Sequence, residues 1–282
     1  MIISQMFLSV TSMILQNCLF NKVCKKELKT GESVYLFNSI VFTVCAVLFG
    51  IGLIGGHISL FTIMLGVLFG VITALSNLYK MLSLGAGPMH ITILITTSSM
   101  IIPTMSGVFF GESFSLPKLI CVFVLIFFIY SSLEKSESMA LNKKWYAFCA
   151  LAFLLQGSIG VLQKIHQNSV YKSEINGLLF VSFVCSLIFS RIKASKASVK
   201  LSFNKKMLFL AVVCGVCAYT MNFLNLRLSG LLPSQLFFPF VNGSAIVLSS
   251  VMSVVIFKEK ISRRQMLGLC GGILSLVVIC IV

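Results

Sequence analysis

The chain contains no aspartate, and glutamate supplies all 7 of its acidic residues. Charged side chains of both signs make up only 10% of 282 residues, where a soluble chain carries about a quarter. That shortage excludes an ordinary globular domain. Histidine is also scarce: His57, His90 and His166 lie near the ends of apolar runs, which leaves a histidine proton relay without support. No Walker loop, Gly-x-Ser-x-Gly, His-x4-Asp or zinc-ligand spacing occurs, so no catalytic residue, metal site or cofactor is expected. The first segment has no basic n-region and no small-residue cleavage site. It reads as a retained span rather than a signal peptide.

What is abundant is apolar. Hydrophobic residues make up 58% of the chain and its mean hydropathy is +1.04, the composition of an integral membrane protein. The net charge of +15 does not imply nucleic acid, because the cations sit in short loops between apolar runs. The 10 cysteines are scattered through those runs and indicate no disulfide framework. Cys214 and Cys217 would share a helix face, but no His or carboxylate lies near them. They read as small residues facing lipid or a neighbouring helix.

A helical span needs about 20 apolar residues. Ten runs fit, at about 2–21, 34–54, 58–79, 88–110, 116–133, 145–164, 176–191, 207–226, 232–257 and 264–282. Little chain is left for loops. Backbone groups in hydrocarbon must be satisfied internally and strand-like alternation is absent, so the spans are expected to be helices.

One element occurs twice. Residues 107–132 read GVFFGESFSLPKLICVFVLIFFIYSS, and residues 254–279 read VVIFKEKISRRQMLGLCGGILSLVVI. In each, an apolar helix ends in Phe-x-Glu, followed by a polar turn and a new apolar helix. Phe110 matches Phe257, Glu112 matches Glu259 and Ser115 matches Ser262. Other landmarks extend the match. Gly70, Asn77, Gly85 and Pro88 align with Gly215, Asn222, Gly230 and Pro233 at a constant offset, and the segment ending Asn21-Lys22 resembles the one ending Gln163-Lys164. The offset grows by two at Phe-x-Glu, which makes the ninth span two residues longer than the fourth. The expected organisation is all-α: ten transmembrane helices as two inverted five-helix repeats, 1–133 and 145–282, joined by a loop at 134–144.

An odd number of spans per half puts the halves in opposite orientations, and equivalent loops then change sides. The charges agree. The turn Gly55-Gly56-His57 has no cation, whereas its counterpart carries Arg191, Lys193, Lys196, Lys200, Lys205 and Lys206. The turn with Lys118 corresponds to one with Lys258, Lys260, Arg263 and Arg264. Lys22, Lys25, Lys26 and Lys29 face Lys164 and Lys172 in the paired loop, and the central connection adds Lys135, Lys143 and Lys144. With Lys80, eighteen of the 22 Lys and Arg fall on one side. The positive-inside rule makes that side cytoplasmic and places both termini outside. Small residues at four-residue spacing (Gly52/Gly56, Gly66/Gly70, Gly107/Gly111, Gly268/Gly272) permit close helix approach. They fit packing within one bundle, or a dimer face built from the fifth and tenth spans.

Two five-helix halves, each with the Phe-x-Glu element, resemble the EamA-like branch of the drug/metabolite transporter superfamily. The turns Leu84-Gly85-Ala86-Gly87-Pro88 and Ser229-Gly230-Leu231-Leu232-Pro233 are similar to that family's connection between the third and fourth helices of each half. The resemblance covers nearly the whole chain. It implies a carrier in the plasma membrane that moves a small metabolite or amino-acid-like solute by alternating access. Spans 1, 3, 4, 6, 8 and 9 would surround a cavity, with 5 and 10 peripheral. The family's termini are usually cytoplasmic, and the charge bias here departs from that. Small four-helix relatives use a carboxylate in their first helix for proton antiport, which this chain lacks. A lipid-linked sugar flippase subunit, a membrane-embedded enzyme and a membrane scaffold are the alternatives. The expected partners are a small-molecule substrate and the lipid bilayer, without nucleic acid, for a monomer or homodimer.

Polar groups inside spans are costly and mark candidate function. The substrate-cavity candidates are Gln16, Asn17, Asn77, Tyr79, Thr96, Ser99, Gln156, Gln163, Tyr219, Asn222, Gln235 and Asn242, with Pro103 and Pro239 as helix-kink candidates. Each has a structural alternative. Ser and Thr bond back to their own helix, Asn77 and Asn222 can join helices, and the prolines can merely bend theirs. Glu112 and Glu259 read as structural groups at helix ends. Lys80, Lys164 and Arg227 are expected to snorkel to the interface, with anion binding as the alternative.

Overall fold

In the computed structural model, residues 2–28, 30–112, 116–131, 143–195, 205–258 and 262–281 are described. Lys29, Ser115, Lys135, Lys196, Lys200, Glu259, Lys260 and Val282 lie outside the described residues, as does most of the 134–144 connection, and so does the side chain of Lys118. All regular structure among the described residues is helical.

The helices are α1 (Ile2–Lys26), α2 (Gly31–Gly52), α3 (Leu60–Ala86), α4 (Met89–Phe110), α5 (Leu116–Ser131), α6 (Lys143–Gln167), α7 (Ile175–Ser195), α8 (Lys205–Leu231), α9 (Ser234–Phe257) and α10 (Arg263–Ile281). Eight of them, α1–α4 and α6–α9, are long and apolar enough to cross a membrane. In α5 the apolar stretch Leu119–Phe128 is shorter. Several helices outrun the apolar runs that announced them. α3 continues through the polar Asn77–Lys80 segment to Ala86, and α8 continues to Leu231. A helix satisfies its own backbone, so polar side chains do not end it.

Starts and stops follow local chemistry. Thr30 and Ser33 form a reciprocal capping box at α2, and the Ser59 hydroxyl caps α3 through Thr62 N–H. Pro88 and Pro233 precede α4 and α9 and cannot cap them with a side chain. Both Phe-x-Glu elements end their helices in left-handed backbone: Gly111 has φ 73° and Lys258 has φ 53°.

α4 is broken where α9 is not. It is α-helical to Thr97, 3-10 over Ser98–Met100, α-helical over Ile101–Ser106 and 3-10 over Gly107–Phe110. Thr96, Thr97 and Ser98 hydroxyls donate back to carbonyls within the preceding turn, and Pro103 has no N–H to offer the preceding turn. A 3-10 residue rises about 2.0 Å against 1.5 Å for an α residue. The 22 residues of α4 therefore reach about as far as the 24 of α9.

The halves interleave. α2 packs against α7 and α8, α3 against α6 and α7, and α1 against α8 and α9. Two crossings are reciprocal. Gly70 of α3 lies on Ser182 and Cys185 of α7, where Ser186 Oγ donates to Gly70 O at 2.7 Å. Gly215 of α8 lies on Val41 and Val44 of α2, where Cys45 Sγ donates to Gly215 O at 3.3 Å. Phe42 and Phe49 of α2 meet Phe183 of α7 in the core between them. α5 and α10 pack chiefly on each other, with Gly271 against the Phe128 ring. Large apolar side chains such as Leu60, Met64, Phe109, Phe127 and Leu267 stay exposed outward, an arrangement suited to lipid.

Candidate functional site

The repeat-aligned helices α3 and α8 present matching faces to one interior space. Thr73, Ser76, Asn77 and Lys80 recur every three or four residues on α3, and Ala218, Met221, Asn222 and Asn225 stand at the aligned positions of α8. All eight line a cavity of about 110 Å3, because residues so spaced share one helix face. Gln16 of α1, Ser99 of α4, Gln156 and Gln163 of α6, and Asn242 of α9 complete its polar wall, and Pro103 of α4 also lines it. Phe183, Phe237 and Phe238 supply apolar surface.

The sequence candidates therefore divide. Gln16, Asn77, Ser99, Gln156, Gln163, Asn222, Asn242 and Pro103 line the cavity, whereas Asn17, Tyr79, Thr96, Tyr219, Gln235 and Pro239 do not. Asn17 is buried with its amide unbonded, and Thr96 bonds back to Thr92 O and Ile93 O. Tyr79 meets Phe148, and Tyr219 packs on Phe49 at 4.5 Å. Gln235 and Pro239 are buried in α9. Thr73 and Ser76 were missed as cavity residues. Their signal was the three-and-four spacing around Asn77.

The carboxamides are partly committed. Asn222 and Asn242 donate their NH2 groups to the carbonyls of Ala218 and Phe238 one turn back, at 2.8 and 3.0 Å, which leaves their side-chain oxygens as acceptors. Gln16 Nε2 donates to Cys214 O, and Asn225 Oδ1 accepts from Ser9 Oγ. Thr73 Oγ1 and Gln156 Oε1 have no partner among the described residues.

Two lysines depart from the snorkelling expected of them. Lys80 is only 3% exposed and faces the cavity. α3 runs on past it to Ala86, so Lys80 is not at the helix end. Lys164 is equally buried, and its ammonium pairs with Glu112 and donates to Leu232 O at 3.1 Å. Glu112 in turn accepts from Ser234 N at 2.7 Å and from Ser234 Oγ at 3.0 Å. The Phe-x-Glu carboxylate of α4 thus caps the first turn of α9, where Pro233 has no side chain able to do so. This latch joins α4, α6 and α9 at one end of the bundle.

Among the described residues no group of three His, Cys, Asp or Glu could hold a metal ion, and Cys214 and Cys217 are free thiols. Outside the spans, the Glu174 carboxylate clasps the start of α3. It accepts from Ser59 N and Ser59 Oγ, both at 2.9 Å. Burial pushes its pKa up, but hydrogen bonds from Thr62 and Ser59 outweigh this and hold it below the usual glutamate value.

Residues 143–281 match the model of the EamA-like transporter family. The second half of the chain belongs to the EamA-like transporters. With eight helices able to cross a membrane, the match marks a multi-pass membrane transporter of the drug/metabolite type. No curated protein matches the chain. A solved crystal structure of a protein is similar over 98% of this chain and 96% of its own, with a TM-score of 0.73 and 11% identical residues. At that identity the likeness concerns the fold alone.

Proposed function

We propose that the protein is a ten-helix carrier of two inverted five-helix repeats, which moves a small polar metabolite or amino-acid-like solute across the plasma membrane by alternating access. The observation that carries this reading is the cavity between the aligned faces of α3 and α8. Inverted-repeat carriers bind their cargo where the repeats meet, and Asn77 and Asn222 meet there. The reciprocal Gly70 and Gly215 crossings support the same pseudo-two-fold relation.

In this reading the latch of Glu112, Lys164 and Ser234 closes one end of the cavity and must open in the transport cycle. The broken α4 offers a hinge. Ser99 and Pro103 lie at its interruption and in the cavity wall, so occupancy can be felt where the helix is weakest. The carboxamide wall suits hydrogen-bonding cargo. The α5–α10 pair, packed on itself, is the peripheral support.

Counterflow of labelled solutes by the purified protein in liposomes tests the proposal. Saturable movement of a small polar solute supports it. Movement of nothing from a broad panel, together with binding of a lipid-linked sugar, replaces it with the flippase reading, and chemical conversion of a solute replaces it with an enzyme.

A further inference from the structure

Lys80 is a buried cation, and no Glu is buried among the described residues. It is 3% exposed, and its ammonium has no hydrogen bond or ion pair among the described residues. The residues lining the cavity include neither Asp nor Glu. Lys164, equally buried, has Glu112 and the Leu232 carbonyl. The contrast matters because an ammonium that faces the cavity without a protein partner is left to water or to the anion of a ligand. At the aligned position of α8 stands Asn225, a neutral group, so the positive charge belongs to one repeat only and is not required by the shared packing.

The neighbouring groups narrow the ligand. Lys80 and the free amide NH2 of Asn225 are donors, and the unpartnered Thr73 hydroxyl can donate or accept. Gln156 Oε1 and the side-chain oxygens of Asn222 and Asn242 are acceptors left without a donor. A space of about 110 Å3 holds roughly four waters at about 30 Å3 each, so the solute is a small one. One positive charge balances one negative charge. The match is a small solute with a single carboxylate and one or more N–H or O–H donors.

We propose that Lys80 is the anion-recognition residue of the cavity and that the cargo is a small monocarboxylate of the amino-acid or hydroxy-acid class. The proposal rests on the carrier reading above. Lys80 binds the carboxylate, and the carboxamide oxygens accept from the amino or hydroxyl group at the other end. Because no carboxylate waits for an ammonium, the site selects for the acid function rather than for a cation.

The test uses purified full-length protein, with binding measured calorimetrically in detergent and counterflow measured in liposomes. The probes are small amino acids and hydroxy acids, the amide analogue of each, inorganic phosphate and a neutral hexose. At least one acid is expected to bind and move, with its amide weaker by about tenfold or more, as befits a charge-assisted hydrogen bond. Lys80→Gln is expected to bring the acid and the amide to equal affinity, and Lys80→Arg to keep the preference. If Lys80→Gln does not give monodisperse protein, the acid-to-amide ratio of the unmodified protein and of Lys80→Arg decides. Equal affinity for acid and amide in the unmodified protein, a preference for phosphate, or a preference that survives in Lys80→Gln overturns the proposal. Transport of neutral solutes alone overturns it while the carrier reading stands, and a failure of every probe to bind or move removes both.

Discussion

Gly111 and Lys258 occupy the same position in the two Phe-x-Glu elements, and both end their helices in left-handed backbone, at φ 73° and φ 53°. Only glycine takes that conformation without steric cost. Lys258→Gly should therefore raise stability by about 0.5–1 kcal/mol, and Gly111→Ala should lower it by about 1 kcal/mol. Thermal unfolding in detergent measures both. An unchanged midpoint for Lys258→Gly would contradict the left-handed assignment.

The reciprocal crossings make a matched pair of predictions. A Cβ on Gly70 would collide with Ser182 O, and one on Gly215 would come within 2.6 Å of Val44 Cβ. Gly70→Val and Gly215→Val should each cost about 1–3 kcal/mol and reduce the monodisperse yield. Gly85 is the control. A Cβ there meets Cys24 Cβ at 3.4 Å, ordinary contact, so Gly85→Ala should stay within about 0.5 kcal/mol of the parent.

Lys164→Met would leave the Glu112 carboxylate, only 18% exposed, without its cation. A loss of about 3 kcal/mol is expected. Adding Glu112→Gln removes the stranded charge, so the double variant should lose less than the sum of the singles. Additive losses in a thermal double-mutant cycle would show that the two groups do not act together.

Glu174 predicts an acid-sensitive clasp. Its folded pKa lies below the ordinary glutamate value. Its contribution is therefore fully present above the unfolded pKa and is lost as the pH falls through the folded one. Stability should decline below about pH 4.3, and Glu174→Gln should flatten part of that decline. Thermal midpoints of parent and variant between neutral and acid pH compare the two. Parallel curves would assign the acid sensitivity elsewhere.

Orientation is tested by a reporter fused after Val282. The bias of Lys and Arg toward one set of loops predicts that the C-terminus faces outward. Activity of a cytoplasm-only reporter would reverse it.

Membrane character and helix positions were written in composition and run length, since hydrocarbon admits few charges and only self-satisfied backbone. The two-residue difference between α4 and α9 was legible too, and the 3-10 segments explain how both span a similar distance. Eight of the 22 residues in the cavity wall were legible, because polar groups within apolar runs are few. Thr96 and Tyr219 misled because a polar side chain can satisfy itself on its own helix or pack against rings, and sequence does not give its direction. Lys80 misled for a different reason. A lysine near the end of an apolar run normally reaches water, but α3 continues for more than a turn beyond it.

The sequence by itself determined the apolar helices, the duplicated landmarks and the shortage of buried acid, because these depend on residue type and order along one chain. Only the tertiary structure decided which helices of one half meet those of the other, that Glu112 caps α9 beside Lys164, and that Lys80 faces an interior cavity without an anion. Those outcomes depend on how helices turn about their axes and cross, and that is set by close contacts such as Gly70 on Ser182, between residues far apart in the chain.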